Sequence, residues 1–399
     1  MRIRKNLEGC ILLLDLDNFK NINDTLGHVY GDNVLIDISK IFKEIENNYD
    51  GVKFYRMGGD EFIATYNCIN EIKIEVLVKE IKNRIIDYTR SRGINISTSI
   101  GIALYPKDGT LIEELLMKAD MAMYEAKGRG KNTYFYFNVK MQDAIKERTY
   151  IENKLIESLK YNNFEILYQP IYDIKTEKIA SFEALLRIKD FNISPAKFIP
   201  IAEKSNLIVD IGNWVIKNVV LKIKEWIDLG IDVKPVSINI SVKQFVDGTF
   251  LNILKEYINK FNIPTNLIQL EITEGLLLEK NDYTIQKLKT LKELGITIIL
   301  DDFGTGYSSL SYLTYIPVDK IKLDKSLNDK FLKRESIETI KNIIGLIKSL
   351  NLLVTAEGIE NREQVEILKE IGCDYVQGYV YSKPIDSERL SILLKEYNK

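Results

Sequence analysis

From residue 164 onward, apolar strand-like runs alternate with helix-like stretches, and the runs end on polar residues. The runs are "FEILYQP", "IASFEALLR", "PVSINIS", "LIQLEITE", "ITIILDDFG", "DKIKLD", "LLVTAEGIE" and "DYVQGY". Eight strands in roughly 235 residues is the size and cadence of a (β/α)8, TIM-like barrel. Such barrels do their chemistry at the C-terminal ends of the strands. The residues placed there are Gln169, Glu183, Asn239, Glu271, Asp301 with Asp302, Lys322, Glu357 and Gln377. Any one of them is as readily a strand-ending turn residue. All of them together predict one polar mouth.

Five carboxylates beside one lysine repel one another in a low-dielectric cleft unless cations intervene. The chain has a single histidine, His28, and three scattered cysteines, Cys10, Cys68 and Cys373. Zinc sites of the Cys/His type and histidine triads are therefore excluded. What remains is an oxygen-rich site for a hard cation, Mg²⁺ or Mn²⁺. Two such ions a few ångströms apart would clamp a phosphodiester and activate a water. Asp301 can bridge both ions while Asp302 serves one, and Lys322 orients the water or neutralises phosphate. Arg187 reads either as a phosphate contact or as a surface ion pair. "FGTGYSS" after the Asp pair reads as a mobile loop or a tight turn.

The first half has another rhythm: strand "CILLLDLD", helix about 32–47, strand "VKFYRM", the corner "GGD", and strand "EFIATY". Helices about 71–92 and 111–127 flank strand "INISTSIGIALY", and "NTYFYF" closes the domain. Thr110 and Glu113 have the spacing of a capping box. The order predicts an antiparallel, ferredoxin-like α+β domain over 1–137. A charged helical linker is expected over 138–160, and the barrel over 161–399. Asp15 ends the first strand and Asp60 sits on the hairpin corner, so both can hold Mg²⁺ against a triphosphate. Gly58 and Gly59 let backbone approach the phosphates.

These motifs carry a resemblance. "EALLR" at 183–187, with "YQP", "INIS", "EITE", "DDFGTGYSS", "IKLD", "AEGIE" and "QGYVYSKP", resembles an EAL-domain phosphodiesterase, the family that hydrolyses cyclic di-GMP to pGpG. The resemblance implies a first barrel strand running antiparallel. It implies two Mg²⁺ or Mn²⁺ ions held by Glu183, Asn239, Glu271, Asp301 and Asp302, with Glu357 near the second. Catalysis falls to Glu183, Lys322, Asp302 and Glu357, and Gln169, Arg187 and Gln377 act around the substrate. Glu274 anchors the "FGTGYSS" loop. "YRMGGDEF" resembles a GGDEF domain, the cyclase that condenses two GTP molecules into the same dinucleotide. Here the resemblance implies Mg²⁺ on Asp15 and Asp60 beside Glu61, with Asn23 and Asp32 reading guanine. Lys20, Lys127 and Lys131 contact phosphates. Asp32 also reads as a helix cap, and Lys127 as a cation at a helix C-terminus. This half departs from its family: the usual preceding helix is missing, "YDGV" replaces the Arg-x-x-Asp inhibition site, and Lys131 replaces an arginine.

The expected function is cyclic di-GMP hydrolysis with GTP binding to the first domain as a regulator. The alternatives are a bifunctional enzyme that also makes the dinucleotide, which needs a homodimer, and a non-catalytic receptor. A net charge of −2 argues against a nucleic-acid polymer as partner. No apolar run approaches the ~18 residues needed to enter a bilayer, so a cytoplasmic location is expected.

Overall fold

"GCILLLDLD" shows no polar alternation because both of its faces are covered. This strand, β1 (Gly9–Asp17), is the middle of a five-stranded sheet and is buried from Cys10 to Asp17. In the computed structural model the described residues are 8–278, 282–304, 313–333 and 336–397. β1 pairs antiparallel with β3 (Glu61–Tyr66) and β4 (Ser97–Tyr105). β2 (Val52–Gly58) flanks β3, and β5 (Tyr134–Tyr136) flanks β4. Leu12, Leu14 and Leu16 pack with Ile38, Phe42, Leu77 and Ile81 of the helices on one face. Ile11 and Leu13 pack on the other face against Leu115, Ala119 and Met123.

Four local expectations change. The sheet is not wholly antiparallel, because β5 runs parallel to β4 after the crossover helix 112–128. The first helical stretch is two helices, α1 (Phe19–Leu26) and α2 (His28–Asn48), broken at Gly27. Asp32 therefore lies inside α2, and the capping reading fails because Gly27 holds the N-cap position. The capping box at Thr110 does not form either. Its helix starts at Ile112, and it is Glu114 Oε2 that accepts the Thr110 N–H, at 3.3 Å.

α3 (Glu71–Arg92) completes one helical layer, α4 (Ile112–Gly128) the other, and α5 (Val139–Tyr161) follows β5. Contacts divide the chain within α5, into Met1–Thr149 and Tyr150–Lys399. In the first unit Met141 packs with Ala122 and Phe137. In the second, Ile151 and Leu155 pack with Phe164, Ile188 and Phe198.

The second unit is a closed eight-stranded barrel. Its strands are β6 (Phe164–Asp173), β7 (Ile179–Ile188), β8 (Val236–Ile240), β9 (Ile268–Thr273), β10 (Thr297–Phe303), β11 (Lys320–Leu323), β12 (Leu353–Ala356) and β13 (Tyr375–Gln377). β6 is antiparallel to both neighbours, β7 and β13, as the family resemblance implied. The other pairings are parallel. Large side chains such as Phe182, Trp226, Phe245 and Phe250 are fully buried between strands and helices. Each such burial contributes on the order of 2–3 kcal/mol before entropy is counted.

Candidate active site

The barrel mouth is organised around one amine. Lys322 on β11 is 1 % exposed and touches four carboxylates. Its Nζ lies 2.6 Å from Glu357, 2.8 Å from Glu271, 3.1 Å from Glu183 and 3.6 Å from Asp301. Sheet register delivers these groups. Asn239 on β8 sits beside Glu271 on β9, and Gln169 on β6 sits opposite Glu183 on β7. Since β6 is reversed, Gln169 reaches the mouth from mid-strand and not from a C-terminal end, which corrects the simple strand-end reading. Glu183 accepts from Asn239 Nδ2 at 2.8 Å and from Gln377 Nε2 at 2.6 Å. Gln377 also donates to Gln169 Oε1 at 3.1 Å.

Electrostatics sort the acids. Burial pushes the Glu183 carboxyl up, but Lys322 and the two amide donors outweigh it, and the net direction is down. Burial, with Glu183 beside it, drives Glu271 well above the usual carboxylate range. Asp301 is raised by burial, which Lys322 only partly offsets. Burial and then the Asp301 charge lift Asp302 to about 6. Burial lifts Glu357 to about 8 despite Lys322. For Lys322, burial acts downward, but the four surrounding carboxylates prevail and hold it well above the ordinary lysine value.

Could these residues hold a divalent cation? Glu271 Oε1 and Asp301 Oδ1 are buried without a hydrogen-bond partner. Asp301 lines a cavity of about 350 Å³ that also reaches Glu183, Glu357, Gln169 and Gln377. Orphaned buried carboxylate oxygens are costly. An all-oxygen donor set with this much negative charge suits Mg²⁺ or Mn²⁺. Among the described residues no three His, Cys, Asp or Glu side chains are already splayed around one ion position. Here the carboxylates close on the ammonium of Lys322.

Other expected residues are placed differently. Asp302 takes φ 56°, a left-handed conformation that costs energy outside glycine, asparagine and aspartate. Arg187 is half-buried and turns Nη1 to the Leu186 carbonyl at 2.8 Å; it is not among the cavity-lining residues. Glu274 Oε1 accepts from Gly304 N–H at 3.2 Å, at the start of the expected loop. Residues 305–312 of "FGTGYSS" and beyond lie outside the described residues.

In the first unit, the β2–β3 hairpin turns at Gly59 and Asp60, with Gly59 at φ 56°. Arg56 clamps the turn, donating Nε and Nη2 to the Gly59 carbonyl at 3.0 and 2.8 Å. Leu16 N–H donates to the Asp60 carbonyl at 3.3 Å, and Glu61 pairs with Asp15. Burial pushes the Asp15 carboxyl up, Lys127 Nζ at 2.6 Å opposes this, and the Asp60 charge adds to it. Lys127 also occupies the last turn of α4, where the helix C-terminal reading placed it. Lys131 Nζ donates to Asn18 Oδ1 at 2.7 Å at the end of β1. Asn23 lies against Gly31, next to exposed Asp32, while Lys20 and Gly58 are exposed.

Sequence reasoning missed Asp17, which is 2 % exposed and accepts from Ser97 Oγ, Ser99 Oγ and Asn132 N at 2.6, 2.7 and 3.0 Å. Its signal was available. In "LDLD" residues 15 and 17 share one face of a strand. Lys325 and Glu360, which line the barrel cavity, were missed as well.

The family model of the EAL domain matches residues 152–384. The chain belongs to the EAL family. In front of its EAL domain, the model "Diguanylate cyclase, GGDEF domain" matches residues 2–133, a tandem GGDEF–EAL order. Among curated proteins, "Bifunctional diguanylate cyclase/cyclic di-GMP phosphodiesterase MucR" of Pseudomonas aeruginosa is 33% identical, over 97% of this chain and 57% of its own length. "Cyclic di-GMP phosphodiesterase PdeR" of Escherichia coli is 35% identical, over 98% of this chain and 59% of its own length. This EAL protein thus spans less than two thirds of the length of those relatives. The solved structure "PaMucR Phosphodiesterase, c-di-GMP complex" aligns with a TM-score of 0.57 at 30% identity, covering 60% of this chain and 99% of that one. EAL domains are metal-dependent. No helix among the described residues is long and apolar enough to cross a membrane.

Proposed function

We propose that this chain hydrolyses cyclic di-GMP to linear pGpG at the barrel mouth, with its GGDEF domain binding GTP in a regulatory role. One observation carries the reading: a buried amine encircled by four carboxylates, two of which keep a buried oxygen that accepts no hydrogen bond, in a chain of the EAL family. Glu183, Asn239, Glu271, Asp301, Asp302 and Glu357 would hold two Mg²⁺ or Mn²⁺ ions. Bound there, the ions supply Lewis acidity and a water of lowered pKa.

The chain's own residues do the rest. Lys322 sits among carboxylates that favour its charged form. It donates hydrogen bonds, first to the carboxylates and then to the water or a phosphoryl oxygen. Gln377 and Asn239 fix the Glu183 carboxylate in one orientation, and Gln169 fixes Gln377 in turn. Arg187 would have to swing from the Leu186 carbonyl to meet a phosphate. In the GGDEF domain, Asp15, Asp60 and Glu61 gather the Mg²⁺ of GTP, Lys20, Lys127 and Lys131 its phosphates, and Asn23 and Asp32 its guanine.

Nucleotide chromatography after separate incubations with cyclic di-GMP and with GTP tests this. The expected products are pGpG from the first, lost in Glu183→Ala, and no dinucleotide from the second. The bifunctional reading is favoured by the retained Asp15–Asp60–Lys127 corner and by the printed name of MucR. It predicts dinucleotide from Glu183→Ala incubated with GTP and Mg²⁺, through a homodimer that brings two GTP sites together. A non-catalytic receptor would bind cyclic di-GMP without turnover in either metal.

A further inference from the structure

The cavity at the barrel mouth has two lysines in its lining, and they are not equivalent. Lys322 is committed to four buried carboxylates. Lys325, three residues further at the start of helix 325–331, pairs with a rim carboxylate, Glu360, at 2.5 Å. Both partners are open to solvent, with side chains 48 % and 57 % exposed. An exposed pair of this kind is held weakly in water, so its cation exchanges readily for a better anion.

The lysine stem is also seated by design of the backbone. Gly358 has φ +67°, and a Cβ built there would stand 2.4 Å from Lys325 Cγ and 2.6 Å from its Cβ. The methylenes of Lys325 thus lie directly on bare backbone at residue 358, with the ammonium at Glu360 on the cavity lining. Any side chain at 358 would displace it.

A cyclic dinucleotide carries two phosphodiesters, each with one negative charge, and the chemistry consumes one at a time. The second has to rest near a cavity wall whose lining carries Glu183, Asp301, Glu357 and Glu360. We propose that Lys325 binds the phosphodiester that is not being cleaved, leaving Glu360 as substrate enters. This inference rests on the cyclic di-GMP reading above. Lys325 is thereby a substrate-positioning residue that favours molecules with two phosphates over those with one.

The test compares Lys325→Ala, Lys325→Arg and Glu360→Gln with wild type on cyclic di-GMP and on bis(p-nitrophenyl) phosphate, which has a single phosphodiester. Loss of one charge-assisted contact corresponds to about a tenfold rise in KM for cyclic di-GMP in Lys325→Ala, with kcat within about twofold. Its penalty on the single-phosphodiester probe should be at least about fivefold smaller. Lys325→Arg restores KM, and Glu360→Gln leaves it equal or lower because the competing carboxylate is gone. Gly358→Ala, which shifts the lysine, should mimic Lys325→Ala in KM. Equal losses on both substrates, or an unchanged KM, overturn the assignment while leaving the hydrolase intact. If wild type cleaves nothing, the phosphodiesterase reading falls. Calorimetric binding of cyclic di-GMP to wild type and Lys325→Ala then decides this one: a tenfold weaker Kd supports it, and equal Kd values or no binding reject it.

Discussion

A lysine with 1 % exposure is an expensive thing to keep, and Lys322 is kept by its four acids. Removing one member of a buried charge cluster leaves the rest uncompensated, at a cost of about 3–5 kcal/mol. Lys322→Met should therefore destabilise the metal-free barrel by about that much, read in urea unfolding with EDTA present. Added Mg²⁺ or Mn²⁺ should recover part of the loss while hydrolysis stays at least about a hundredfold down, the scale of one lost transition-state electrostatic contact. The acids give a second expectation with a definite sign. Folding raises Glu357 to about 8 and Asp302 to about 6, above ordinary carboxylate values. Groups raised in this way contribute stability that is complete below pH ~4 and is lost as pH rises through their folded values. The metal-free barrel should melt at lower temperature at pH 8.5 than at pH 5.5, and Glu357→Gln should flatten that slope. Divalent metal should remove most of the slope, because it binds the deprotonated acids. A metal-free melting point that rises over that range in wild type contradicts the burial assigned to Glu357.

Elements were legible where a residue pattern has one physical reading. Eight apolar runs in the second half gave eight strands, and Gln169, Glu183, Glu271, Asp301, Glu357 and Gln377 among their polar positions met around Lys322. Strand direction was not legible, since an apolar run buried in a barrel wall reads the same in either sense. The reversal of β6 came only through family resemblance, and it moves Gln169 to mid-strand. Helix starts were the other weakness. The Thr110 box failed by one residue because Glu114 was better placed than Glu113. The direction of Arg187, whose Nη1 turns to the Leu186 carbonyl, was not legible either, since side-chain direction is not written in spacing. Packing between elements can be tested at Gly101 on β4, where a Cβ would stand 1.8 Å from the Ala119 carbonyl and 2.3 Å from Met123 N. Strand and helix backbones touch there. Gly101→Ala must push α4 off the sheet, at a cost of about 1–3 kcal/mol or more. Hydrogen exchange should show faster opening of β1, β4 and α4, with the barrel strands unaffected. Uniform loss of protection across the chain would contradict two separately packed units.

At the scale of the whole molecule, each unit has its own large buried cluster among the described residues, one of 23 buried residues around β1 and one lining the barrel. α5 crosses the division between the units as one continuous helix. Separate cores unfold as separate transitions unless something couples them. Each ligand then stabilises only the unit that binds it, by RT ln(1 + [L]/Kd), which is about 2.7 kcal/mol at a hundred times Kd. Mn²⁺ titrated into Asp15→Ala, whose GGDEF site is disabled, should raise the barrel transition alone. GTP with Mg²⁺ titrated into Glu183→Ala should raise the GGDEF transition. The regulatory reading demands one thing more. A regulator acts through a coupling free energy, and coupling between two binding sites is reciprocal. If GTP tightens cyclic di-GMP binding at the barrel, cyclic di-GMP must tighten GTP binding in the first domain by the same factor. Calorimetry of each nucleotide, with and without the other, measures both factors. Equal and non-unit factors make α5 the element to mutate next, beginning with a helix-breaking proline in its interior at Lys146. Factors of one in both directions, with hydrolysis unchanged by GTP, leave two independent enzymes or binding modules joined by a helix.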